Sequence, residues 1–133
     1  MTPDAHTLDG LYDLVSAAIL RAESAEARRE DSRAAEAYFE VSCLEEEIAD
    51  ELPATNPEGA IARRGVVRAA LSAQQYDRAF DLAERYLSDS SAPEDLRAAL
   101  SGLRDEARRA MDEALRLVIE VVPQATFTFH EAA

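Results

Sequence analysis

The side chains with the most chemical potential in this chain are carboxylates. In Glu45-Glu46-Glu47-Ile48-Ala49-Asp50-Glu51, the pairs Glu46/Glu47 and Asp50/Glu51 lie three or four residues apart, so on a helix they share a face. Oxygen ligands arranged this way suit Mg²⁺. A carboxylate-bridged di-iron centre would need Glu-x-x-His pairs, and the sequence has none. The two histidines, His6 and His130, lie near opposite ends of the chain and read as solvated surface. Cys43 is the single cysteine. With no histidine at helical spacing to lower its pKa, it reads as a buried, inert thiol. There is no Gly-x-Ser-x-Gly elbow, glycine-rich phosphate loop or dinucleotide fingerprint. The acidic run is therefore read as a solvated helix face. No catalytic residue, no metal and no cofactor is expected, and the chain is not expected to be an enzyme.

The second available chemistry is anion recognition. All 14 basic residues are arginine, against 27 acids, for a net charge of −13. Residues 61–72, IARRGVVRAALS, hold Arg63, Arg64 and Arg68 and no acid. Arg64 and Arg68 are four apart and so stack on one helix face. Paired guanidinium groups grip a carboxylate or phosphate through bidentate hydrogen bonds. Acids within the fold, Glu40 and Glu47 among them, compete for the same arginines. Elsewhere the opposite sign dominates: residues 23–51 carry 11 acids and 3 arginines. That balance disfavours nucleic acid as a partner and would suit a basic site on another protein. A lone cysteine rules out an internal disulfide, and MTPDAHTLDG has neither a basic region nor an apolar run, so a cytoplasmic location is expected. No segment approaches the ~18 apolar residues of a membrane span, so no membrane partner is expected.

These side chains must be positioned by helices. Hydrophobic residues make up 47% of the chain and charged residues 31%, a globular composition. About a fifth of the chain is alanine, the strongest helix former. The sequence predicts an all-α fold of about five helices in stacked antiparallel hairpins. The first runs from Pro3 or Thr7 to about Arg28, with Leu8, Leu11, Val15, Ala18, Ile19 and Ala22 at helical spacing. A turn near Glu30-Asp31-Ser32 leads into the second, about Ser32 to Glu51. Ala35, Tyr38, Phe39, Ser42, Ile48 and Leu52 form its expected apolar side. Asn56 and Pro57 read as the cap and first residue of a third helix reaching about Ala73. The fourth spans Tyr76 to Leu87, with Ala79, Leu82, Ala83 and Tyr86 inward. Ser91-Ala92-Pro93-Glu94 matches a capping box for a fifth helix that carries Leu96, Leu100, Leu103 and Ala107 and is expected to stop at Pro123. Residues 1–122 thus form one helical domain and 123–133 a short extended tail. Phe127 and Phe129 alternate within that tail as in a strand, which suggests docking, a second copy of the tail being one partner.

Residues 62–87 resemble a tetratricopeptide-repeat (TPR-like) helical hairpin. Tyr76 and Ala79 match the family's tyrosine after the turn and the alanine three residues later. Ala83 and Tyr86 fall where its second helix packs onward. Gln74-Gln75 stand where the family has Gly-Asp, Val67 occupies the position of its helical glycine, and Gly65 lies two residues early. Residues 32–52 read as a further second helix with Ala35 and Phe39 in register, 44 residues from Ala79 against the family's period of 34. The resemblance implies stacked helical hairpins with a groove for a protein or peptide partner, and Arg63, Arg64 and Arg68 are the candidate groove residues. Glu46-Glu47-Ile48-Ala49-Asp50 also resembles the first half of the Glu-Glu-x-x-Glu motif of MazG-type nucleotide pyrophosphatases, with Asp for the last Glu and no later Glu-x-x-Asp. The leading expectation is a small protein–protein interaction module. The alternative is an acidic inhibitor or antitoxin-like protein covering a basic site, and a Mg-dependent pyrophosphatase ranks third.

Overall fold

A computed structural model describes the backbone of residues 7–132 and the side chains of residues 7–120. Five helices follow one another: α1 (Leu8–Ala27), α2 (Asp31–Glu51), α3 (Pro57–Ser72), α4 (Tyr76–Leu87) and α5 (Glu94–Ala132). No strand occurs among the described residues. None of their helices is long and apolar enough to cross a membrane.

Local chemistry sets most of the boundaries. The Thr7 hydroxyl accepts from the Gly10 amide at 3.0 Å and starts α1. Asn56 Oδ1 accepts from the amides of Glu58 and Gly59, at 2.8 and 3.3 Å, and starts α3 with Pro57 in its first turn. The capping box expected at Ser91 is not formed. The Ser91 hydroxyl turns back to Asp89 Oδ1 at 2.7 Å, and α5 begins at Glu94.

The turns α1–α2 and α3–α4 are the same structure twice. Arg29 and Gln74 are left-handed, with φ of 59° and 62°. Around the first, Arg29 N bonds Glu26 O and Glu30 N bonds Ala25 O. Around the second, Gln74 N bonds Leu71 O and Gln75 N bonds Ala70 O. These are the paired bonds of a Schellman ending, in both cases without its usual glycine. The next residues, Glu30 and Gln75, also agree in φ and ψ (−91°, 75° and −94°, 70°). Aligned on these turns, the two segments are offset by 45 residues, which sets Ala34, not Ala35, against Ala79. Ala34 and Ala79 are both buried, whereas Ala35 is half-buried and Phe39 is 42% exposed. Of the expected apolar side of α2, Ser42 and Ile48 are buried, whereas in place of Ala35, Tyr38, Phe39 and Leu52 the buried residues are Ala34, Ala37, Val41 and Ala49. A left-handed non-glycine residue costs about 1 kcal/mol, and the Gln74 side chain is exposed. Gln74→Gly should therefore stabilise the fold by about that amount, read as a higher urea midpoint; an unmoved midpoint would show that the turn carries no strain.

The core is small-residue packing closed by a few branched side chains. Val66, Val67, Leu96, Leu100 and Ile48 are almost fully buried among alanines of all five helices. Side-chain bonds report the antiparallel order: Arg21 to Glu40 across α1–α2 at 2.6 Å, and Arg97 to the Leu87 carbonyl across α4–α5 at 2.8 Å.

The helical backbone of α5 runs through Pro123 to Ala132, where the sequence reads as a stop followed by an extended tail. A strand must find backbone partners for its polar groups. No strand among the described residues offers them, whereas a helix satisfies them locally. The side chains of Phe127, Phe129 and His130, like all of His6, lie outside the described residues.

Candidate functional site

The three candidate arginines on α3 do not act together. A helix turns about 100° per residue, so neighbours in sequence face different ways. Gly59, Ala62, Val66, Val67, Ala69 and Ala70 face the core. Arg63 follows that inner edge. Its guanidinium donates to the carbonyls of Leu52 and Gly59, both at 2.9 Å, and of Ala49 at 3.1 Å. It also lies 5.5 Å from the centre of the Tyr86 ring. Two of those carbonyls end α2, where the helix dipole is negative and a cation is favoured. Arg63 is thus occupied as a cap that joins α2 to α3.

Arg64 and Arg68 face outward and are exposed. Neither makes a hydrogen bond or ion pair among the described residues. The acids expected to neutralise them do not: Glu40 is paired with Arg21 at 2.6 Å, and Glu47 is exposed. Ile61, one turn earlier on the same face, is 57% exposed. An uncompensated double cation beside an apolar side chain is available to a carboxylate-bearing partner.

The three consecutive glutamates that open the acidic run, Glu45, Glu46 and Glu47, have three different surroundings. Glu47 is in solvent. Glu46 accepts from Arg78 at 2.7 Å and Arg85 at 3.2 Å, both from α4. Arg78 also donates to the Ser42 hydroxyl at 3.1 Å and lies 5.5 Å from the Phe39 ring centre, while Ser42 donates to the Val66 carbonyl at 2.7 Å. This seam ties α2 to α4 across α3. Sequence reasoning misses it: its one sequence signal is the serine on an otherwise apolar helix face, which needs a buried partner. Glu45 is the third. It lies where Gly65 leaves room, since a Cβ at Gly65 would overlap the Glu45 carboxylate. Its Oε2 is buried and unbonded among the described residues, and burial pushes the carboxyl up to about 7. Nearby, the Tyr12 phenol donates to Glu58 Oε2 at 2.6 Å, and this bond, with burial, pushes it up to about 12.

Among the described residues, no three His, Cys, Asp or Glu side chains group as metal ligands. Cys43 is half-buried rather than enclosed. The chain matches no family model, no curated protein and no solved structure.

Proposed function

We propose that this chain is a non-enzymatic interaction module of helical-repeat type, in which Arg64 and Arg68 grip a carboxylate of a protein or peptide partner. The observation that carries the reading is that these two exposed arginines have no partner among the described residues, in a chain of net charge −13. Acids are abundant enough to neutralise them, yet of the two named for that role Glu40 is engaged by Arg21 and Glu47 is left in solvent. Two hairpins with the same turn support the repeat reading. So does Gln74, which stands where the tetratricopeptide pattern has glycine and holds the left-handed conformation that glycine favours.

The test is binding to an array of acidic peptides with free or amidated C-termini. The parent should retain a subset of them. Arg64→Ala with Arg68→Ala should weaken retention by roughly tenfold to a hundredfold, the worth of one to two charge-assisted bonds. Its melting temperature should stay near the parent's, because neither guanidinium supports the fold. Equal retention by the variant, or a large loss of stability, would overturn the assignment. The acidic-inhibitor reading has one observation of its own, the exposure of Glu36, Glu40, Glu47, Asp50 and Glu51 along α2. It predicts retention of basic peptides that falls steeply with salt.

A further inference from the structure

Among the described residues, α5 carries more exposed large hydrophobic side chains than any other helix. This helix has 39 residues, against 12 in α4, which at 1.5 Å per residue is about 58 Å against about 18 Å. The two run antiparallel. Arg97 bonds the Leu87 carbonyl at one end, and Gln75 and Tyr76 border Met111 and Val118 at the other. Support for α5 ends there. Leu96, Leu100, Leu103 and Ala107 are buried, whereas every residue from 112 to 120 is exposed. The unsupported part is not polar: Leu115, Leu117, Val118 and Ile119 are each 55–58% exposed. Its spacing also continues that of the buried part. Residues 96, 100, 103, 107, 110, 114 and 117 alternate steps of four and three, the repeat of helices that pair along a seam.

We propose that this part of α5 pairs antiparallel with α5 of a second copy of the chain, about a two-fold axis at Ala114. The charge pattern selects that partner and that direction. Along the helix the signs run Arg108-Arg109, Asp112-Glu113, Arg116, Glu120. Reversing one copy about residue 114 sets Arg108 opposite Glu120 and Asp112 opposite Arg116. The same reversal sets Ala110 opposite Val118, Met111 opposite Leu117 and Ala114 opposite its own copy, so small or flexible side chains meet branched ones on either side of the axis. In-register parallel pairing would instead set each charge block beside its own copy, at a cost. A self-complementary patch related by a two-fold axis is the commonest way for identical chains to associate. Net charge favours the same place. Residues 104–120 hold four arginines and five acids, so two chains of net charge −13 meet where their mutual repulsion is least. Arg116 bonds Glu113 of its own chain, with both side chains more than half exposed. Such a pair is worth little and is readily shared with the facing helix.

The full chain should sediment at twice 14.6 kDa. Leu117→Glu with Val118→Glu should raise the dimer dissociation constant by at least ~100-fold with helicity retained, because each copy would bury two charges in the seam. Register is read by cross-linking in a Cys43→Ser background. A mixture of the Ala110→Cys and Val118→Cys proteins should form mixed disulfides, and neither protein alone should do so efficiently. A monomer at all concentrations, a dimer indifferent to the double glutamate substitution, or efficient disulfide formation by the Ala110→Cys protein alone would each overturn the proposal.

Discussion

Gly59→Ala is expected to cost about 3 kcal/mol or more, at the upper end of what overpacking costs, from a total on the order of 10 kcal/mol for a domain of this kind. A Cβ at Gly59 would collide with the carbonyl oxygen of Pro53 and come within 3.0 Å of its carbon. A side chain could step aside; this obstacle is main chain. The segment is also held on both sides. Asn56 N bonds Pro53 O at 3.1 Å, Asn56 Oδ1 caps α3, and Arg63 joins the carbonyls of Leu52 and Gly59. Moving Pro53 away from a new methyl group therefore strains the cap and the arginine clamp together. Gly102 supplies the control. Nothing lies within 4 Å of a Cβ there, so Gly102→Ala should gain about 1 kcal/mol from helix propensity alone. Urea unfolding of the two variants should move in opposite directions. A Gly59→Ala midpoint equal to the parent's would mean that the α2–α3 connection does not approach the helix as described.

Where a boundary is written in local chemistry, the sequence is enough. Asn56-Pro57 starts α3, and α4 spans Tyr76–Leu87 as its residue pattern implies. The phase of α2 is not legible in the same way, for a physical reason. Ala34, Ala35 and Ala37 differ little in hydrophobicity, so they cannot say which face is inward. The turn that leads into α2 passes through a left-handed residue at Arg29, and an arginine gives no hint of that conformation. At the end of α5 the local signal and the requirement of the whole fold are separate. Pro123 and the alternation of Phe127 and Phe129 favour an extended tail locally, but a strand needs a neighbour, and whether one exists is a property of the whole fold.

The candidate site divides along the same line. Arg63, Arg64 and Arg68 are alike as letters. They separate because the α2 carbonyls of Ala49 and Leu52, 14 and 11 residues earlier in the chain, come within bonding distance of Arg63. Spacing predicts that Arg64 and Arg68 share a face. It cannot predict that Arg21 takes Glu40, or that Glu46 is held by Arg78 and Arg85 of a helix more than 30 residues away.

Glu45→Gln should stabilise the protein at pH 8 by about 3 kcal/mol and leave it nearly unchanged at pH 4. The carboxyl's ordinary value is 4.5, and burial in the fold pushes it up to about 7. A folded-state pKa above the unfolded one means that folding disfavours the ionised form. Below about pH 4.5 both states hold the proton, and the group costs nothing through its charge. Between about 4.5 and 7 the unfolded chain releases the proton while the folded chain keeps it, so stability falls steadily as pH rises. Above about 7 both are ionised, and the full cost of a buried charge is present. Glutamine fills nearly the same space without that charge, so the gap between variant and parent should open from pH 4 and level off above pH 7. Comparing the two proteins at each pH cancels the titration of the other 26 acids. The sign also separates Glu45 from its neighbour, because Glu46 is a paired carboxylate whose loss would leave Arg78 and Arg85 unmatched. A gap that does not change with pH, or a variant less stable than the parent at pH 8, would show that Glu45 has a partner or lies in water. The pocket against Gly65 would then not be the cause of its shift.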